Sequence, residues 1–234
     1  MPVSAGPDGG AKGPVVVAID GPSGSGKSST SRGVAVRLGY AYLDTGAMYR
    51  AMTWAMLEAG IDVDDTAAVS AEAEHVEIRS GTDPQDPVIH VGAVDVAEPI
   101  RGDVVTAAVS PIAAVPRVRE LLVDLQRSII AASDTGIVVE GRDIGTVVAP
   151  DAPVKIYLVA DPAARAARRA AEQGGADAAA TEASLLSRDH IDSTRATGPL
   201  AQADGATVVD GTHLTLDEVV ETIVGLVAET VGSA

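Results

Sequence analysis

The stretch that most constrains this chain runs from Val15 to Thr30, where "VVVAID" leads directly into "GPSGSGKSST". An apolar, β-branched run of this kind is a strand buried on both faces, as in parallel sheets covered by helices. Gly21, Gly26, Lys27 and Ser28 then fit G-x-x-x-x-G-K-[ST], with the strand before and the helix start after that the motif requires. The whole segment Gly21, Pro22, Ser23, Gly24, Ser25, Gly26, Lys27, Ser28 and Ser29 has the chemistry of a polyphosphate cradle. Glycines let backbone N–H groups close on phosphate oxygens, the Lys27 ammonium reaches the β and γ oxygens, and the Ser28 hydroxyl is a ligand for Mg²⁺. The expectation is an α/β protein that binds a nucleoside triphosphate.

Four further apolar runs, "AYL" at 41–43, "GIVVE" at 136–140, "VKIYLV" at 154–159 and "ATVVD" at 206–210, alternate with segments of helical periodicity. The alternation predicts a parallel sheet flanked by helices, built from residues 14–61, 111–160 and 201–234. Val118, Leu121, Leu122, Leu125 and Ile129 share one helical face after Pro116, and "TLDE" from Thr215 to Glu218 reads as a capping box for a last helix. Two segments interrupt the alternation and read as insertions. Residues 62–110 hold a short helix and then "EIRSGTDPQDPVIHVGAVDVAEPI", whose Pro, Gly and Asp punctuation predicts small antiparallel strands. Residues 161–200 are alanine-rich, charged and broken at "EQGGAD", the composition of a mobile helical flap. Residues 1–13 read as a disordered leader, without the apolar stretch of a signal peptide.

Charge and missing residue types narrow the chemistry. With 17 basic and 33 acidic residues and a net charge of -16, the chain does not coat nucleic acid by bulk attraction, so a phosphate site must be local. Lysine stands only at 12, 27 and 155, so 14 of the 17 basic residues are arginine, whose rigid fork suits phosphate and carboxylate. The absence of cysteine excludes disulfides and thiolate chemistry and fits a cytoplasmic protein. No apolar run approaches a membrane span, and nothing marks an oligomer interface, so a monomer is expected.

There is no asparagine, hence no Asn-Lys-x-Asp guanine reader of a GTPase, and Glu140 follows only three apolar residues where ATPase motors place a carboxylate after four. A second anionic substrate is better provided for. "LDTGAMYR" puts Asp44, Thr45, Tyr49 and Arg50 at the carboxyl end of the second strand, where open α/β sheets bind ligands. "EGRDIGT" presents Arg142 and Asp143 at the next strand in the same way, so Arg50 and Arg142 can clamp one phosphate. In the flap, Arg165, Arg168 and Arg169 share one helical face, as do Arg188, Asp192 and Arg195. Arginines brought in by a closing flap neutralise a transferring phosphoryl group and exclude water. This pattern favours a kinase.

The motifs "IDGPSGSGKSS", "LDTGAMYRA", "VEGRDIGTVV" and "RDHIDSTR", in this order, resemble the bacterial cytidylate kinases among nucleoside monophosphate kinases, over about Val15 to Leu216. The resemblance implies a five-stranded parallel sheet, a monophosphate-binding insertion at 62–110 and a lid at 161–200. It implies that Arg50, Arg142 and Arg195 bind the acceptor phosphate, that Thr45, Ser110, Arg119 and Asp143 line the base pocket, and that Arg188 and Asp192 approach the ribose. Arg165, Arg168 and Arg169 would meet the transferring phosphate or those of ATP. The implied reaction is Mg²⁺-dependent transfer from ATP to CMP and dCMP. Two rivals remain open: a kinase for another small acceptor such as UMP or shikimate, and a nucleotide-binding regulator of slow turnover.

Overall fold

The computed structural model describes residues 15–172 and 177–232. The leader at 1–13 and most of "EQGGAD" lie outside them. In chain order the elements are β1 (Val15–Asp20), α1 (Lys27–Leu38), β2 (Ala41–Asp44), α2 (Thr45–Glu58), α3 (Thr66–Ala73), β3 (Ile78–Ser80), β4 (Ile89–Val91) and β5 (Val94–Asp95). Then come α4 (Asp103–Ala114), α5 (Pro116–Ala131), β6 (Gly136–Gly141), β7 (Val154–Val159), α6 (Pro162–Glu172), α7 (Ala178–Thr194), β8 (Thr207–Asp210) and α8 (Leu216–Gly232).

Five strands form one parallel sheet in the order β2-β6-β1-β7-β8. The expected apolar runs supply all five. Alternation along β1 sends Val17 and Ile19 to a core shared with α1 and α8, and Ala18 to a larger one shared with α2, α4 and α5. The last helix starts as its sequence predicts. Thr215 N–H donates to Glu218 Oε2 at 2.8 Å and Glu218 N–H to Thr215 Oγ1 at 3.3 Å, the reciprocal bonds of a capping box. The strand order reverses beside β1, so ligands are expected at the carboxyl ends of β1, β2 and β6.

Between α2 and α4, helix α3 precedes an antiparallel sheet of order β3-β4-β5. Its first hairpin loop is fastened to the core: the Tyr42 N–H of the edge strand β2 donates to Thr82 O at 2.9 Å, and Arg32 Nε donates to Pro84 O at 2.9 Å. Helix α4, which the sequence reading did not single out, runs unbroken through residue 110 with Pro111 inside it. Helices α6 and α7 pack on each other across the mouth of the main sheet and reach the glycine-rich loop.

Candidate active site

The loop between β1 and α1 turns where only glycine fits. A Cβ on Gly21 would lie 2.1 Å from Leu158 O, and Gly26 caps α1 at φ 89°, in the left-handed region. Lys27 is buried and folded back, with Nζ donating to Pro22 O at 2.7 Å and Ser25 Oγ at 3.4 Å. Burial pushes its ammonium well below the lysine range and Arg142 adds to the push, while Glu140, Asp189 and Asp20 oppose it. Ser28 and Ser29 stand exposed at the start of α1, facing a cleft.

The cleft runs from this loop, past Asp44, Glu140 and Arg142, to Tyr49, Ser110 and Asp143. Asp44 ends β2 and accepts the Ala47 N–H at 2.8 Å, capping α2. Thr45 Oγ1 donates to Glu140 O at 2.6 Å, tying the start of α2 to β6. Glu140, set aside in the sequence because of its short apolar run, lines the cleft. Its buried carboxylate accepts from Tyr42 Oη at 2.5 Å, and burial and the nearby Asp44 raise it above the ordinary carboxylate range.

Arg50, Arg142, Arg169, Arg188 and Arg195 all line this cleft. Arg50 donates to Ile100 O and Thr106 Oγ1, both at 2.9 Å. Burial, then the charges of Arg188 and Arg169, lower Arg50 to about 9, and burial, then Arg142, lowers Arg188 to about 10. Cations crowded until they repel one another constitute a site for an anion. Arg142 bridges the elements, donating from Nη2 to Ser23 Oγ at 2.9 Å and from Nε to Asp192 Oδ2 at 3.1 Å.

At the far end, Arg119 pairs with Asp143 in a buried bond, and Arg195 Nη2 reaches the other Asp143 oxygen at 3.5 Å. The Arg119 guanidinium lies 5.7 Å from the centre of the Tyr49 ring, within cation–π range. Its Nε and Nη1 are buried and have no hydrogen-bond partner. Burial raises Asp143, and Arg119 and Arg195 pull it back. Arg165 and Arg168 are placed differently. They do not line the cleft: Arg165 Nη1 donates to Ser23 O at 2.8 Å, and Arg168 bonds to Gly211 O and, at 3.5 Å, to Ser25 O.

Asp20, which no motif distinguished, ends β1 and accepts the N–H groups of Ile144 and Gly145, each at 2.8 Å. These bonds hold the single π-helical turn Ile144–Val148 that follows Arg142 and Asp143. Burial pushes the Asp20 carboxyl from 3.8 up to about 6, against the pull of the two N–H groups. A raised carboxyl contributes stability that is present below 3.8 and lost as pH rises through about 6, a change of about 3 kcal/mol. The stability advantage of wild type over Asp20→Asn, measured by thermal unfolding between about pH 4 and about pH 7, should therefore shrink as pH rises. A difference independent of pH would show that Asp20 does not titrate in this window.

The family model described as cytidylate kinase matches residues 17–229. A curated protein of Streptomyces avermitilis named cytidylate kinase is 57% identical over 215 residues, covering 92% of this chain and 93% of its own. Namesakes from Streptomyces coelicolor and Nocardia farcinica are 59% identical, over 92% of this chain and 93% of their counterpart, and 52% identical, over 94% and 96%. Agreement of this extent runs through the glycine-rich loop, the insertion and the paired helices alike, and the chain belongs to the cytidylate kinase family.

Proposed function

We propose that the chain transfers the γ-phosphoryl group of ATP to CMP and dCMP, releasing ADP and the nucleoside diphosphate. One observation carries the choice of acceptor: Asp143 lines the far end of the cleft that begins at Lys27, and the buried Arg119 holds its carboxylate from behind. Cytosine presents an amino donor beside a ring nitrogen and a carbonyl, the complement of a carboxylate beside a guanidinium. Uracil turns a carbonyl toward the carboxylate, which costs about 1–3 kcal/mol or more. CMP and dCMP offer the same base and phosphate, so both are acceptors.

Arg50, Arg142 and Arg195 hold the acceptor phosphate, with Arg188 and Asp192 toward the ribose and Thr45, Tyr49 and Ser110 along the base. The acceptor phosphate oxygen is itself the nucleophile, so no side-chain nucleophile is required. Lys27 and Arg169 neutralise charge that develops on the transferring group. Arg165 and Arg168, bonded to loop carbonyls, act through the loop. The helices α6 and α7 keep water from competing as acceptor.

The residues present fit Mg²⁺. Ser28, Asp44 and Glu140 are an oxygen-only donor set, and the buried Glu140 carboxylate is raised in part by Asp44, a like-charge cost that a cation relieves. The rest of the shell of an ion held there would come from water and substrate phosphates, and when bound it would neutralise phosphate charge.

The test is ADP release with ATP and Mg²⁺ against CMP, dCMP, UMP and shikimate. CMP and dCMP should exceed UMP in kcat/KM by about 5–150-fold, the factor that about 1–3 kcal/mol represents. Turnover with UMP or shikimate but not CMP would remove the roles given to Arg119 and Asp143.

A further inference from the structure

The reaction as described gives Asp189 no role and leaves Arg165 off the cleft, yet both side chains are turned onto the phosphate loop. Asp189, from α7, accepts the Ser23 N–H on Oδ1 at 2.8 Å. Arg165, from α6, donates from Nη1 to Ser23 O at 2.8 Å and to Asp189 Oδ2 at 2.5 Å. Both backbone groups of one loop residue are thus taken by a single ion pair with one partner on each lid helix. The Arg165 side chain is 6% exposed and that of Asp189 15%, so water competes little for either. The third polar group of Ser23, its hydroxyl, takes Arg142, which also holds Asp192 on α7.

Packing follows the same line. Gly24 has φ +74°, and a Cβ there would lie 3.2 Å from both Arg165 O and Leu185 Cδ1. The bare backbone of the loop is therefore the surface on which both lid helices rest. Charge-assisted hydrogen bonds to backbone groups are short and directional, and here they fix the loop at Ser23.

We propose that Asp189 and Arg165 are positioning residues: acting as one device, they seat the lid on the phosphate loop through Ser23 and so set the loop geometry before nucleotide arrives. The kinetic consequence rests on the reading of the chain as a phosphoryl-transfer enzyme, whereas the structural one does not. An Asp189 carboxylate that holds the loop affects the rate of transfer more than the affinity for the acceptor, because it touches neither the base pair-reading residues nor Arg50.

The experiment has two arms. In the nucleotide-free protein, amide hydrogen exchange at Ser23 should be protected in wild type and at least about 10-fold faster in Asp189→Ala, with the amides of β1 unchanged as the control for folding. Asp189→Asn, which keeps an oxygen for the Ser23 N–H, should retain most of that protection, and it decides the question if the alanine variant does not fold. In steady-state assays with CMP, Asp189→Ala and Arg165→Ala should each lower kcat by about 10–100-fold, with KM for CMP within about threefold of wild type. The double variant should be no worse than the more severe single one. Unchanged Ser23 exchange in Asp189→Ala, or losses in kcat that multiply, would overturn the proposal. A wild-type protein inactive toward CMP would instead refute the assigned reaction, and the exchange arm would still judge the device.

Discussion

Lys27→Ala is expected to lower kcat for ADP formation with CMP by about 10³-fold or more, the scale on which a single cation acts in phosphoryl transfer. Lys27 is the loop's own cation, and its surroundings explain the size of the effect. Its ammonium is buried against Pro22 O and Ser25 Oγ, and burial together with Arg142 works against its charge. Arriving phosphates supply the counter-charge, and as negative charge spreads over the equatorial oxygens the interaction strengthens, which is the condition for accelerating the chemical step. Lys27→Arg should not restore the rate, because a planar fork cannot occupy the space of a compact ammonium enclosed by the loop. The measurement is kcat at saturating ATP and CMP. A loss below tenfold would place the neutralising role elsewhere, on Arg169.

Asp143→Asn should lower kcat/KM for CMP by about 10²–10³-fold and reduce the preference for CMP over UMP by about 10–100-fold, with KM for ATP unchanged. The carboxamide keeps one oxygen for Arg119 and adds an N–H donor that can meet the uracil carbonyl. Discrimination by a buried polar group is lost chiefly because the wrong base no longer leaves that group unpaired. The substitution also removes the counter-ion of the buried Arg119, and breaking such a pair costs about 3–5 kcal/mol of stability. Thermal unfolding of the variant therefore accompanies the kinetic comparison of CMP with UMP. An unchanged preference would mean that the base is read by other groups.

The sheet was legible because strands buried on both faces are written as continuous apolar runs, and the glycine-rich loop because its backbone geometry demands particular residues at fixed spacing. Arg50, Arg142, Arg188, Asp192 and Arg195 could be found for the same reason, since each follows from a strand end or shares a helical face. What stayed hidden depends on distant contacts. Asp20 and Asp189 act on N–H groups 125 and 166 residues away, and no local pattern records that. Counting apolar residues dismissed Glu140, whereas its register opposite Asp44 of β2 and Ile19 of β1 carries it into the cleft. The common face of Arg165, Arg168 and Arg169 was readable, but their separate partners were not, because those depend on how α6 lies against the loop. Helix α4 was obscured by its β-branched residues and an internal proline, and only packing against α2 and α5 makes it a helix.

The bond from Tyr42 N–H to Thr82 O bears on how the molecule behaves in a crowd. A sheet edge with free N–H and C=O groups invites strand addition by another copy. Here the β2 edge is covered by the chain's own insertion, and Arg32 keeps that cover in place. The opposite edge, β8, is as short as β2, follows Asp204 and ends on Asp210. A net charge of -16 then repels approaching copies over longer range. Growth by edge pairing is thus opposed on one side by the chain's own insertion and on the other by charge, and the surplus of carboxylates acquires a use unrelated to catalysis.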